Sequence, residues 1–259
     1  MNNDRFIVFD NVNNFRDIGG LALPNGRMMK TGILFRSGDL SRATAADAET
    51  LRRLNIRMIC DLRTPRERIF RRDRILQDKS VRLVYVPIHH RKGSANQRAR
   101  ALLWKKLHGY DFTRFIREYY LTLAFERTAQ INELFTLLSD TNNLPALIHC
   151  VAGKDRTGFV AALIQSVAGA PRKAVIEDYL QTNRFYQPQI LKFVQIVRWL
   201  TMFYASAESI QQLVEVHAEY LDETLHEIVT RYETIEEYLA KACGINESSL
   251  QHLKKQLAG

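Results

Sequence analysis

Residues 144–168 constrain the fold of this chain more than any other stretch. Leu144 to His149 is a short apolar run with Pro145 near its start, and it reads as a buried strand. Thr157 to Ala168 is apolar with helical spacing and is stopped by Gly169 and Pro171. Between them lies Cys150-Val151-Ala152-Gly153-Lys154-Asp155-Arg156. A strand that passes so quickly into a helix leaves the connecting backbone little choice but a tight loop over the helix N-terminus. That unit belongs to an α/β architecture.

The rest of the chain extends the pattern. Residues 5–10 and 33–36 are β-prone, with turn sequences at Asn14 to Gly20 and at Pro24-Asn25-Gly26. Ile56 to Leu62 and Val81 to Ile88 read as strands. Thr44 to Leu54 reads as a helix, with Thr44 as N-cap and Asp47 in its first turn. Helical periodicity runs through Phe112 to Leu138 and through Ala174 to Gln181, and residues 209–259 predict three amphipathic helices, with Gly244 as a C-cap and Asn246 as the following N-cap. Residues 89–100 are polar and basic, hence loop. Residues 188–204 are apolar but carry Lys192 and Arg198, which fits a half-buried helix or a hydrophobic lid, and a lid would occupy about 185–215. With no repeat, low-complexity tract or clear linker, residues 1–259 read as one domain with an α/β fold: a central, partly parallel sheet flanked by helices, with additional C-terminal helices.

Composition excludes some classes. No apolar run is long enough to span a bilayer, and Met1-Asn2-Asn3-Asp4-Arg5-Phe6 is not the start of a conventional signal peptide. Cys60, Cys150 and Cys243 are an odd count in a long chain, which does not indicate a disulfide scaffold. The expected location is the cytoplasm, or outside the cell by export without a cleaved signal. Charge is unevenly spread: residues 1–200 hold 33 Lys and Arg against 18 Asp and Glu, whereas residues 201–259 hold 4 against 10. A basic body suits an anionic substrate or surface.

The loop has the composition needed to hold a phosphate against a sulfur nucleophile. Helix N-termini and cations favour thiolate, the reactive form of cysteine. The backbone N–H groups from Val151 to Arg156 can curl around an anion, supported by the helix dipole, and Gly153 permits close approach and a positive φ. Arg156 offers a planar fork to two phosphate oxygens. Thr157 would bring a hydroxyl near the sulfur to help the thiolate depart. His149 is placed to orient the loop, and as a strand neighbour of the nucleophile it points to the opposite face. Gly153-Lys154 is followed by Asp155 and lacks an upstream glycine at the right spacing, so a nucleotide P-loop does not fit.

These residues resemble the protein tyrosine phosphatase superfamily, whose signature is His-Cys, five residues, Arg. The Gly153-Lys154-Asp155-Arg156 version is similar to bacterial tyrosine and lipid phosphatases of the mycobacterial protein tyrosine phosphatase B type. Asn14 to Gly20, Phe35-Arg36-Ser37-Gly38-Asp39-Leu40, and Asp61-Leu62-Arg63 with Glu67 resemble that family's earlier motifs, and Asp178-Tyr179-Leu180 and Tyr220-Leu221 match weaker downstream positions. The resemblance covers the chain from about residue 13 onward. It implies Cys150 as nucleophile, Arg156 as phosphate clamp, a cradle formed by Val151, Ala152, Gly153, Lys154, Asp155 and Arg156, no metal or other cofactor, and phosphotyrosine, phosphoserine, phosphothreonine or phosphoinositide substrates.

The chain departs from classical tyrosine phosphatases in lacking their Trp-Pro-Asp acid. Asp155 inside the loop and Asp61 at the end of a strand are both candidate general acids, and Asp61 reads equally as a structural partner of Arg63. Lys154 reads either as a rim lysine or as a second cation for an additional phosphate. With the arginines between Arg63 and Arg74 it points to lipid headgroups and to contact with a membrane surface. His89-His90 lacks ligands at metal spacing, and Cys60 reads as a core thiol. The expected partners are a phosphorylated protein or a phosphoinositide, with no nucleic acid. A binder of phosphorylated ligands without activity is the alternative class, disfavoured by the intact Cys150 and Arg156. A sulfur transferase or arsenate reductase is disfavoured by Arg156-Thr157-Gly158 and by chain length.

Overall fold

The computed structural model describes residues 5–73, 81–89, 112–200, 207 and 215–258. Five strands form one sheet: β1 (Arg16–Asp17), β2 (Leu34–Ser37), β3 (Met58–Asp61), β4 (Arg82–Tyr85) and β5 (Ala146–His149), in the order β1-β2-β5-β3-β4. β1 is antiparallel to β2, and the other neighbours are parallel. β5 is central, with Ile148 opposite Arg36 on one side and Cys60 on the other.

The strands alternate between two apolar cores, as a period of two requires. Leu34, Met58, Cys60, Ala146 and Ile148 face the larger core. Phe35, Ile59 and Leu147 face a smaller one, closed by Val12, Phe15 and Leu51. Leu51 belongs to α1 (Ala45–Arg53), where Thr44 and Asp47 form the reciprocal capping box that its first turn needs.

Among the described residues the remaining α-helices are α2 (Pro65–Phe70), α3 (Phe112–Glu126), α4 (Thr128–Ser139), α5 (Asp155–Val167), α6 (Arg172–Leu200), α7 (Ala218–Tyr232), α8 (Ile235–Lys241) and α9 (Glu247–Leu257). α5 is buried without a break from Arg156 to Gln165, which makes it the axis of the larger core. The three C-terminal helices fall where periodicity placed them: Gly244 has φ 71° after α8, and the Asn246 side chain accepts from Ser248 N at the start of α9.

Three expectations change. Residues 5–10 form no strand; Phe6 makes an isolated bridge to Arg16. The helical run from Phe112 is broken at Arg127 into α3 and α4. The segments beginning at Ala174 and at 188 are one helix of 29 residues. Of the expected loop at 89–100 only His89 is described, and residues 201–206 and 208–214 of the expected lid lie outside the described residues. Among the described residues no helix is long and apolar enough to cross a membrane.

Candidate active site

The loop after β5 opens at the carboxyl ends of three parallel strands, where open α/β sheets bind ligands. Its shape follows from where its carbonyls are tied. Val151 O accepts from Asp39 N at 3.0 Å. Ala152 O accepts from Tyr186 Oη at 2.6 Å and from Asn14 Nδ2 at 3.2 Å. Gly153 O accepts from Arg36 Nη2 at 2.7 Å and from Asn14 Nδ2 at 2.8 Å. In a trans peptide the N–H points opposite to the C=O. Anchoring three successive carbonyls to the body therefore turns the amides of residues 152, 153 and 154 towards the concave side. Gly153 N, at 3.2 Å from Cys150 Sγ, shows that direction. Gly153 has φ 62°, and a Cβ there would lie 2.3 Å from Ser37 O, so only glycine fits.

Arg156, in the first turn of α5, is held by Glu67 from α2. Arg156 Nη1 donates to Glu67 Oε2 at 2.8 Å and Nη2 donates to Oε1 at 2.9 Å, a fork-to-fork pair. Nη1 also donates to Leu62 O at 3.2 Å. Burial alone would raise the Glu67 carboxyl; the Arg156 hydrogen bonds and charge outweigh it and bring it down to about 2. Thr64 places Glu67 through a second capping box, with Thr64 N donating to Glu67 Oε2 at 2.8 Å.

Behind the loop is a denser charge centre. Asp178, fully buried on α6, faces Arg5 Nη2 at 2.6 Å, Arg36 Nη1 at 3.4 Å and Arg16 Nε at 3.5 Å. Arg16 also donates to Asn14 Oδ1, fixing the amide that holds the loop, and Asn14 itself sits at φ 58°, a conformation asparagine tolerates. Burial would raise the Asp178 carboxyl, but Arg16, Arg36 and Arg5 together hold it at about 2. Burial, then the like charge of Arg36, push Arg16 down to about 9.

The two candidate acids have different surroundings. Asp155 is half-buried where the loop becomes α5, and it accepts from Tyr120 Oη at 3.0 Å, itself hydrogen-bonded to Tyr179 Oη. Asp61 is fully buried: its Oδ1 accepts from Arg63 N and Nε, each at 2.9 Å, and its Oδ2 from Nη2 at 2.8 Å. Asp61, Asp73 and His149 offer atoms within 4.8 Å of one another, but the Arg63 guanidinium already binds both carboxylates. His149 is buried, with Nδ1 at 3.4 Å from Cys150 O, and burial lowers its pKa. Thr157 is buried, and among the described residues its hydroxyl has no hydrogen-bond partner. Lys154 is half-buried at the loop. Cys60 is a core thiol whose pKa burial pushes up to about 12.

Residue-by-residue reading missed Tyr120 and Tyr186, and it quoted Asn14, Arg36 and Asp178 only as motif positions. A signal was present for Arg36, a charged residue inside a buried strand, which requires a buried partner.

A family model described as the tyrosine phosphatase family matches residues 7–259. The chain belongs to the tyrosine phosphatase family. It is 30% identical over 258 residues to a Cupriavidus necator protein that bears the name "Putative tyrosine-protein phosphatase", covering 95% of this chain and 86% of that one. It is 28% identical over 274 residues to the triple specificity protein phosphatase PtpB of Mycobacterium tuberculosis, covering 95% and 96%.

Proposed function

We propose that this chain is one phosphatase domain that hydrolyses phosphotyrosine through a phosphocysteine intermediate, with phosphoinositides and phosphoserine or phosphothreonine as further substrates. The observation that carries this reading is the set of tied carbonyls that turns the loop amides towards Cys150, beside an arginine held flat by a bidentate carboxylate.

In the first step Cys150 Sγ attacks phosphorus and the bond to the leaving oxygen breaks. That oxygen keeps the electron pair and takes a proton from the Asp155 carboxyl. The loop amides and Arg156 hold the three equatorial oxygens, where charge is spread in the transition state. In the second step water attacks phosphorus, Asp155 carboxylate accepts its proton, and the P–S bond breaks to return thiolate and release phosphate. The Thr157 hydroxyl, without a hydrogen-bond partner among the described residues, is available to that departing sulfur. Asp155 is preferred over Asp61 as the acid because both Asp61 oxygens are already engaged by Arg63. Tyr186 on α6 donating to the loop supports a lid role for the segment beginning near 185.

The second substrate class rests on Lys154, a cation beside the cradle that suits a neighbouring phosphate, as on an inositol ring.

The test is hydrolysis of para-nitrophenyl phosphate and of aryl and alkyl phosphates of graded leaving-group pKa. Cys150→Ser abolishes turnover. Asp155→Asn steepens the dependence on leaving-group pKa because the leaving oxygen loses its proton donor, and Asp61→Asn leaves the slope unchanged. Wild-type rates without the thiol would overturn the mechanism, and a steeper slope in Asp61→Asn would move the acid to Asp61.

A further inference from the structure

Helix α2 is built against the usual rule. None of its six residues is buried. Ile69 and Phe70, adjacent at its end, are 65% and 75% exposed. Lone exposed apolar side chains are common, but a helix normally turns its apolar side chains to the core. What surrounds this pair is basic: Arg66, Arg68, Arg71 and Arg72. The nearby acids are already matched, Glu67 by Arg156, Asp73 by Arg63 and Asp39 by Arg71. Among the described residues Arg66, Arg68 and Arg72 pair with no carboxylate. The Arg68 guanidinium instead lies 3.7 Å over the half-exposed Tyr85 ring, a cation–aromatic pair beside the same tip.

We propose that α2 and the arginines that follow it dock on an anionic lipid bilayer. The apolar pair would enter the boundary between headgroups and acyl chains, and the arginines would lie at headgroup level. Charge selects an anionic partner. The shape selects a bilayer over an acidic protein, because two protruding side chains insert into lipid without a matching pocket. Glu67 ties the same helix to Arg156, so docking brings the cradle to the surface. The phosphatase reading enters only in that consequence, the delivery of the site to phosphate esters in the membrane plane.

Sedimentation of the full chain with phosphatidylcholine vesicles, alone or with about one lipid in five phosphatidylserine, tests this. Wild type is expected to bind only the anionic vesicles and to be released by salt. Arg66→Glu with Arg72→Glu lowers the partition coefficient at least ~25-fold, about fivefold for each charge removed from the surface. Ile69→Ser with Phe70→Ser lowers it by about tenfold through lost apolar burial. Turnover of para-nitrophenyl phosphate by both double variants stays within about twofold of wild type, since none of the four side chains touches the cradle. Equal binding by wild type and variants overturns the proposal. So does a wild type that ignores vesicles but is retained on an acidic phosphopeptide. Vesicle binding by a wild type inactive on every phosphate ester would instead overturn the phosphatase reading and leave the docking surface standing.

Discussion

The loop is held from two sides, and the two holds have opposite proportions. In front, Glu67 meets Arg156 one to one, fork to fork, with Glu67 still partly open to solvent. Behind, Asp178 is the one carboxylate among the described residues that ion-pairs with Arg5, Arg16 and Arg36 in the interior. A balanced front pair suits the proposed task of orientation, in which Arg156 presents a flat face to a phosphate. The rear centre keeps an excess of positive charge. Its arginines act on backbone, Arg36 through Gly153 O and Arg16 through Asn14. A dianion bound in the loop would supply charge that the interior lacks. The difference shows how one acid, buried, can serve architecture while another, partly open to solvent, is free to serve the proposed chemistry.

The largest effect is expected at the rear. Asp178→Asn leaves three cations without their counter-charge and should cost about 3–5 kcal/mol, a large part of an ordinary domain's stability. Urea unfolding measures it, and a loss below about 1 kcal/mol, no more than an average point mutation costs, would show that Asp178 is not the keystone of that centre. At the front the balance should reverse. Glu67→Gln leaves the buried Arg156 guanidinium one acceptor and no counter-charge, but Glu67 itself reaches solvent, so stability falls by less, about 2 kcal/mol. Activity on para-nitrophenyl phosphate falls about 10²-fold, because a clamp displaced by an ångström no longer meets the transition state. Equal effects on both properties at both sites would erase the distinction between the two centres.

Acid provides the mildest test, because it acts on both centres without a mutation. Glu67 and Asp178 are each held at about 2, against ordinary values of 4.5 and 3.8. Both are depressed, so their stabilisation is complete above those ordinary values and is lost as pH falls towards about 2. Buried His149, also lowered from its ordinary 6.5, adds a loss with the same sign that begins nearer neutrality. Circular dichroism in an acid titration should show wild type losing structure across this window. Glu67→Gln should lack the part that sets in near the ordinary glutamate value, and an unchanged acid profile in that variant would count against the front pair.

What was legible in the sequence was local. The strand, loop and helix around Cys150, the Thr44 cap and the Asn246 cap depend on residues a few positions apart, so periodicity and cap chemistry found them. The rear centre is non-local: Arg5, Arg16 and Arg36 precede Asp178 by 173, 162 and 142 residues. No spacing rule joins them; only the sheet order and the packing of α6 do. The same holds for Tyr120, which meets Asp155 across 35 residues from a helix that periodicity alone merged with its neighbour. The loop's residue types could be read directly, but the groups that aim its carbonyls could not.

Glu67 carries a consequence of its own. Its carboxylate completes the first turn of α2 by accepting from Thr64 N, and it also positions Arg156. A short helix with no buried residue has little besides such bonds to keep it wound. Each time that turn frays, Arg156 loses its rest, and the proposed phosphate clamp with it. Turnover thus becomes a gauge of local order in α2: amide exchange at Glu67 and catalytic rate should rise and fall inversely under mild denaturant, well before the sheet gives way.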